Sequence, residues 1–298
     1  MPQAQADCHS NPAIGYCEPL AINASLDRPC DAAYAIPQMI DRARLTAVVR
    51  AAGELALGQW PGHGHTPRVW DKGGDSPVCD ADMEVDRFLH EELSRLLPSA
   101  GWLSEETADH PARLSGGLVW LVDPIDGTRD FIRGRPGWAV SVCLISAGRP
   151  LFGLLHAPAH DAFYSAEAGH GAFRNGHRLT ASQRQVLPGA RVPADALMHE
   201  DADLSTVPRP NSIALRIAMV AADEADLVAT LRWGWEWDIG AAALIAREAG
   251  AQVTDAFGQQ LAFNKPDPRA FGVLVSAPAI HDAAIARLAD RATRLSRL

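Results

Sequence analysis

The stretch Trp120 to Phe131, WLVDPIDGTRDF, constrains this chain more than any other. Trp120, Leu121 and Val122 have the bulk and branching of the end of a buried strand, which predicts a strand over 117–122. Two carboxylates follow at once, Asp123 and Asp126, with Pro124 between them and unable to donate to a ladder. Gly127 then supplies a freely bending position, and Thr128 a hydroxyl where a helix would start. A strand that ends this way can hold hard cations and turn backbone amides toward an anion. The same spelling also suits an ordinary acidic surface turn. Two other blocks weigh against that reading: Ser104-Glu105-Glu106 follows apolar Trp102 and Leu103, and Asp238 follows Trp237. Carboxylates carried to the ends of buried elements must be paired or bind metal.

At 298 residues the chain is near the length where one core divides into two. A hydrophobic share of 47% is enough for a large core. The formal net charge of -9 argues against a nucleic acid polymer or an anionic membrane as partner, because both need a positive field. It leaves room for a local basic pocket and a phosphorylated small molecule. The five cysteines form no CxxC pair and are odd in number, which suits a reducing compartment. Cys143 falls in an apolar strand pattern and reads as core; Cys79 has no adjacent base to make it a nucleophile. No apolar run reaches the roughly 18 residues of a membrane span, and the first residues lack the basic and apolar regions of a signal peptide. The expectation is a cytoplasmic enzyme.

Residues 1–34, with Pro12, Pro19 and Pro29, read as a poorly ordered extension. A helical stripe over 38–59 stops at Pro61 and Gly62, and His63 and His65 read as exposed loop residues. A second helix, to about Leu97, carries Val85, Phe88, Leu89, Leu93 and Leu96 on one face, with Asp80 or Asp82 as its cap. Short strands over 139–145, 151–155 and 162–165 predict an antiparallel sheet, completing an N-terminal α+β domain over 35–185. Over 186–298, helices at 213–220, 239–249 and 281–288 alternate with strands, as in a layered C-terminal α/β domain. Glu105, Asp123, Asp126 and Asp238 come from both halves, so a cleft between the domains is their expected meeting place. The alternating Trp233, Trp235 and Trp237 read as core before they read as a stacking surface.

Carboxylates without histidine or cysteine favour Mg2+ over Mn2+ or Ca2+ and argue against Zn2+. Asp123 and Asp126 are close enough in sequence to hold neighbouring ions, and such pairs stabilise the attacking and leaving oxygens of phosphoryl transfer. The amides of Gly127 and Thr128 would take phosphate oxygens, and Glu105 with Thr128 and Asp82 could orient a water. The residues alone point to a metal-dependent phosphate ester hydrolase.

Leu103-Ser104-Glu105-Glu106, Asp123-Pro124-Ile125-Asp126-Gly127-Thr128 and Trp237-Asp238-Ile239-Gly240-Ala241 resemble, in order, the three signature blocks of the inositol monophosphatase superfamily. The resemblance spans about residue 40 to 290 and implies a layered αβαβα sandwich of the sugar phosphatase type. It implies two or three Mg2+ ions: Glu105, Asp123 and the Ile125 carbonyl on the first, Asp123, Asp126 and Asp238 on the second, and Glu105 through water on a third. Thr128 and Asp82 would support the nucleophilic water, attack would be direct, and lithium would inhibit. Family members include monomers and dimers, so a homodimer stays open. The forms WLVDPIDGTRDFI and GRPLFGLLHAP resemble most the bacterial branch that removes the 3'-phosphate of adenosine 3',5'-bisphosphate. Inositol-specific members place a glutamate seven residues before the last metal aspartate, where this chain has Leu231. The nucleotidases' Gly-Ser-Ser-Leu-Lys stands here as Ser212-Ile213-Ala214-Leu215-Arg216. Lys72, Arg216 and Arg232 are candidates for a second phosphate, and Asp126, Gly127, Thr128 and Asp238 for the reacting end of the substrate. Inositol, other sugar or polyol, and histidinol phosphates are the alternatives.

Overall fold

The computed structural model describes residues 40–71 and 77–297, so the expected N-terminal extension and Lys72 lie outside the described residues. Helix α1 (Arg42–Gly58) is capped by Asp41, whose Oδ1 accepts from the Arg44 amide at 2.9 Å, and it buries Leu45, Val48, Val49 and Ala52. Strands β1 (Val69–Asp71) and β2 (Pro77–Cys79) pair as a ribbon that leads into α2 (Asp80–Leu96). The cap of α2 differs from the sequence expectation. Cys79 is the N-cap, Asp80 is already the first helical residue, and Asp82, three positions past the cap, accepts the Cys79 amide at 2.8 Å.

The large sheet is built from β3 (Gly101–Ser104), β4 (Leu118–Asp126) and, after the short α3 (Thr128–Ile132), β5 (Ala139–Ser146), β6 (Arg149–Ala157), β7 (Ala162–Glu167), β8 (Gly171–Arg174) and β9 (His177–Arg178). Its seven strands lie side by side in chain order, β3 parallel to β4 and the rest antiparallel. The strand does not stop at Val122 as Pro124 suggests. Pairing of Asp123 with Ser141 jumps to Asp126 with Ala139, and Pro124 sits in that irregularity, where its missing N–H leaves no ladder bond unmade.

The remaining chain forms the short parallel pair β10 (Arg191–Pro193) and β11 (Ser205–Val207), then α4 (Ile213–Ala221), β12 (Leu227–Trp235), α5 (Glu236–Glu248), β13 (Gln252–Thr254), β14 (Arg269–Ser276) and α6 (His281–Leu295). The alternation of helix and strand produces an antiparallel sheet ordered β12, β14, β13.

Alternate side chains sort these elements into layers. Leu121 of β4 and Cys143 of β5 share a core with Ile217 of α4, Ala242 and Ile245 of α5, and Val273 and Val275 of β14. Leu274, on the opposite face of β14, packs instead with Leu227, Ala284 and Leu288 under α6. Helices α1 and α2 pack on each other and on the far face of the large sheet. The order is helices, seven-stranded sheet, α4 with α5, three-stranded sheet, α6: the αβαβα sandwich that the sequence implies. Because α5 is buried between two sheets, its first turn is held rigidly against β4 and β5, and Ser141 Oγ donates to the Trp237 carbonyl at 3.4 Å. Among the described residues, no helix is long and apolar enough to cross a membrane.

Candidate active site

Four elements bring acidic side chains together at the ends of β3 and β4. Asp123 is 2% exposed, and its Oδ1 accepts from the Ile125 amide at 3.0 Å. Glu105, just beyond β3, donates its amide to the Val122 carbonyl at 3.2 Å, which fixes it beside β4. From α2, Asp82 accepts the Cys79 thiol and amide on Oδ2 and faces Thr128 Oγ1 with Oδ1 at 3.2 Å. The Thr128 hydroxyl also lies 3.0 Å from the Ile125 carbonyl, so its one proton has two acceptors. Asp238, in the first turn of α5, accepts the Trp235 amide at 3.2 Å.

Asp126 spans the two halves of the chain. Its Oδ2 accepts from Ser212 Oγ at 2.5 Å and the Ala214 amide at 2.7 Å, and its Oδ1 from the Ile213 amide at 3.3 Å, so it closes the start of α4. Gly127 makes this approach feasible: its φ is 99°, and a Cβ there would stand 2.6 Å from the Gly137 carbonyl oxygen and 2.9 Å from the Ser212 nitrogen.

The electrostatics show that these groups share one volume. Burial first, then Glu105, Asp126, Asp238 and Asp82, push the Asp123 carboxyl well above the ordinary carboxylate range. Burial, then Asp126 and Glu105, push Asp238 well up too. Burial also raises Asp126, against the pull of Ser212, the Ala214 and Ile213 amides and Arg216. Among the described residues, no three His, Cys, Asp or Glu side chains stand at ready chelating spacing. Asp82, Asp123, Asp126 and Asp238 each accept from protein donors instead, and the repulsion within the cluster is what a cation would relieve. An all-oxygen set of this charge fits Mg2+ and does not suit Zn2+.

Supporting residues escaped the sequence reading. Asp86, one turn after Asp82 on α2 and nearly as buried, accepts from Ser104 Oγ and from Thr107 Oγ1 at 2.6 Å, tethering the loop that carries Glu105. The i, i+4 spacing of Asp82 and Asp86 on a buried face was the available signal. Buried Glu236 accepts from Lys265 Nζ at 2.6 Å and from the Asn264 and Lys265 amides, anchoring the start of α5. Replacing Asp86 with Ala is expected to raise the Mg2+ concentration for half-maximal activity about tenfold to a hundredfold, the usual cost of losing a group that orients a metal ligand. A Mg2+ titration of initial rates checks this, and an unchanged midpoint would count against the tether.

Other expectations divide. Arg216 is buried, its Nε donating to the Pro210 carbonyl at 2.8 Å and an Nη to Asn211 at 2.5 Å, so it is largely spent on the loop before α4. Arg232 lines a shallow cleft with Thr230, Trp235 and Asp238. Leu231 does not face that cleft; it packs toward α6, because the pairing of β12 slips between Thr230 and Trp233. Of the three tryptophans expected in the core only Trp237 is buried, while Trp233 is 48% and Trp235 41% exposed. Trp235 stacks on Trp237 with ring centroids 4.7 Å apart. His63 and His65 are exposed and Cys143 is buried, as read from the sequence; burial pushes both the Cys79 and Cys143 thiols up, against a nucleophilic role.

Comparison with known proteins points to one family and fold. The profile of the inositol monophosphatase family matches residues 38–294. The fructose-1,6-bisphosphatase/inositol-1-monophosphatase of Thermotoga maritima is 32% identical over 228 residues, covering 73% of this chain and 86% of that protein. The inositol-1-monophosphatase of Rhizobium meliloti is 34% identical over 63% of this chain and 75% of its own length. Among solved structures, the IMPase of Thermotoga maritima superposes with a TM-score of 0.73 at 26% identity, covering 84% of this chain and 97% of that one. The suhB protein of Bartonella henselae gives 0.71 at 27%, covering 83% and 97%. These likenesses lend no specific support to the nucleotidase branch that the sequence forms suggested. A fold in five layers, a carboxylate cluster at its strand ends and a profile match over most of the length lead to one assignment: the chain belongs to the inositol monophosphatase family.

Proposed function

We propose that this chain, a metal-dependent phosphomonoesterase of that superfamily, hydrolyses the phosphate ester of a small polyol, with inositol 1-phosphate as the representative substrate. The observation that carries this reading is the Thr128–Asp82 pair placed beside the mutually repelling Asp123, Asp126, Asp238 and Glu105. Glu105, Asp123, Asp126, Asp238 and the Ile125 carbonyl would hold Mg2+. When bound, Mg2+ supplies positive charge to the ester phosphate and acidifies an attacking water. Thr128 Oγ1 takes a proton from that water while passing its own to Asp82 Oδ1, and Cys79 keeps Asp82 in place by occupying its other oxygen. The water oxygen bonds to phosphorus as the bond to the alcohol oxygen breaks, the alkoxide that leaves takes a proton from a second water, and no residue acts as nucleophile. Gly127 and Thr128 face the phosphate at the start of α3, and Asp126 and Asp238 face the alcohol.

Phosphate release from inositol 1-phosphate and from adenosine 3',5'-bisphosphate, with Mg2+, EDTA and lithium as separate additions, tests this. Mg2+-dependent, lithium-sensitive turnover with the polyol ester preferred is the expected result. Turnover that survives EDTA would overturn the metal chemistry, and a tenfold preference for the nucleotide would overturn the substrate class.

A further inference from the structure

Arg232 stands apart from the other charged groups near the site. It lies on β12 where the pairing with β14 slips: Thr230 opposes Val273 and Trp233 opposes Phe271, so Leu231 and Arg232 together stand against Gly272. A bulge of this kind re-aims side chains next to active sites. Here it sends Leu231 toward the α6 layer and Arg232 into the cleft with Thr230, Trp235 and Asp238. The distortion depends on Gly272, whose φ is 70° and where a Cβ would stand 2.3 Å from the Thr230 carbonyl oxygen. A backbone irregularity thus presents a guanidinium to the rim of the carboxylate cluster.

That guanidinium has no hydrogen bond or ion pair among the described residues, although it is near enough to Asp238 to pull its carboxyl down. Two more arginines belong to the same neighbourhood, since Arg209 and Arg232 both act on the charge of Arg216. Arg209 is paired with Asp195 at 2.5 Å, and Arg216 donates to the Pro210 and Asn211 carbonyls. Burial first, with Arg209 and Arg232 adding to it, brings the Arg216 guanidinium down to about 10. Arg209 and Arg216 are therefore committed to protein partners, and Arg232 is the one of the three left to meet a ligand. An arginine fork matches the planar or tetrahedral oxygens of a carboxylate or phosphate.

We infer that Arg232 is a specificity-determining residue, which binds a second anionic group of the substrate, remote from the phosphate that is hydrolysed. The inference rests on the phosphomonoesterase reading above and narrows it: the preferred polyol ester carries two anionic groups. The competing account is that Arg232 only offsets the charge of Asp238. That account predicts equal effects on every substrate, whereas a substrate contact predicts unequal ones.

The test compares inositol 1-phosphate with inositol 1,4-bisphosphate, which share one ring and differ by one phosphate, on the wild-type protein and on Arg232→Ala and Arg232→Lys. The expected result is a loss in kcat/KM on the bisphosphate that exceeds the loss on the monophosphate by about tenfold or more, carried mainly by KM, with Lys recovering part of it. Equal losses on the two esters, or none, would overturn the inference. Calorimetric binding of both compounds separates the inference from the function it rests on. Failure of the wild type to release phosphate from either ester would count against the phosphatase reading alone. A bisphosphate that binds wild type and Arg232→Ala with equal affinity would defeat the role of Arg232 whatever the turnover.

Discussion

Replacing Asp123 with Asn is expected to lower kcat about a thousandfold, roughly 4 kcal/mol of transition-state stabilisation, while making the metal-free protein more stable. Asp123 is buried, it accepts from the Ile125 amide, and four neighbouring carboxylates oppose its charge. An amide of the same size can still accept from Ile125 and no longer carries the charge. The sign with pH follows from the raised carboxyl. Its folded value lies above the unfolded value of about 3.9, so its contribution to stability is complete below about pH 4 and is lost as pH rises through the folded value. Asp238, pushed up for the same reasons, acts in the same direction. Asp226 acts oppositely: burial would raise it, but hydrogen bonds from Arg191 and Ser182 hold it down at about 2, so its contribution is lost only as pH falls toward that value, equally in both proteins. In EDTA the Asn variant should therefore melt above wild type at pH 8, with the gap closing toward pH 4. Mg2+ should stabilise wild type by about 2.7 kcal/mol at a hundred times its dissociation constant, and the variant by much less. Melting curves at pH 5, 6.5 and 8, with EDTA or Mg2+, decide the matter. A variant that melts below wild type in EDTA at pH 8 would contradict the crowding of charge inferred around Asp123.

The parts of this molecule that were legible in its sequence are those written in local periodicity. The face of α2 reads directly from Val85, Leu89 and Leu93, and the large meander from short strands between turn residues. The acidic blocks stood out because Glu105, Asp123 and Asp238 each follow bulky apolar residues, an arrangement that burial penalises unless the charge has a use. What could not be read depends on contacts between distant segments. Pro124 signals the end of a strand, but the partner β5 absorbs it in an irregularity that only the paired register reveals. Counting seven residues back from Asp238 reaches Leu231, whereas the bulge at Gly272 turns Thr230 and Arg232 to the cleft instead. Alternation along Trp233, Trp235 and Trp237 cannot show that β12 gives way to α5 at Glu236, so that Trp235 stays on the rim while Trp237 turns inward. Ser212 has no local pattern of its own, and the Asp82–Asp86 spacing on α2 does not say what Asp86 holds; their partners, Asp126 and the Ser104–Thr107 turn, come from other elements.

Asp126 should behave differently from Asp123 although both sit on one strand. Asp126→Ala is expected to abolish activity and also to destabilise the protein by about 3 kcal/mol or more, with or without Mg2+. Its carboxylate satisfies the Ser212 hydroxyl and the amides of Ile213 and Ala214, all buried, where α4 begins. Truncation leaves those donors without an acceptor in a place water does not reach, at about 1–3 kcal/mol for each group left unpaired. The charge itself costs free energy, since burial raises Asp126, but the bonds to Ser212, Ala214 and Ile213 and the nearby Arg216 offset that cost in a way nothing does for Asp123. Asn in place of Asp126 keeps one acceptor oxygen and should lose about half as much. Because α4 packs on α5 within the central layer, loosening its first turn also loosens the support of Asp238. Denaturant unfolding in EDTA should therefore rank the proteins Asp123→Asn, wild type, Asp126→Asn, Asp126→Ala in falling stability. If Asp126→Ala unfolded at the same midpoint as Asp123→Asn, the carboxylate that joins β4 to α4 would have no structural role, and the site would be held together by the metal alone.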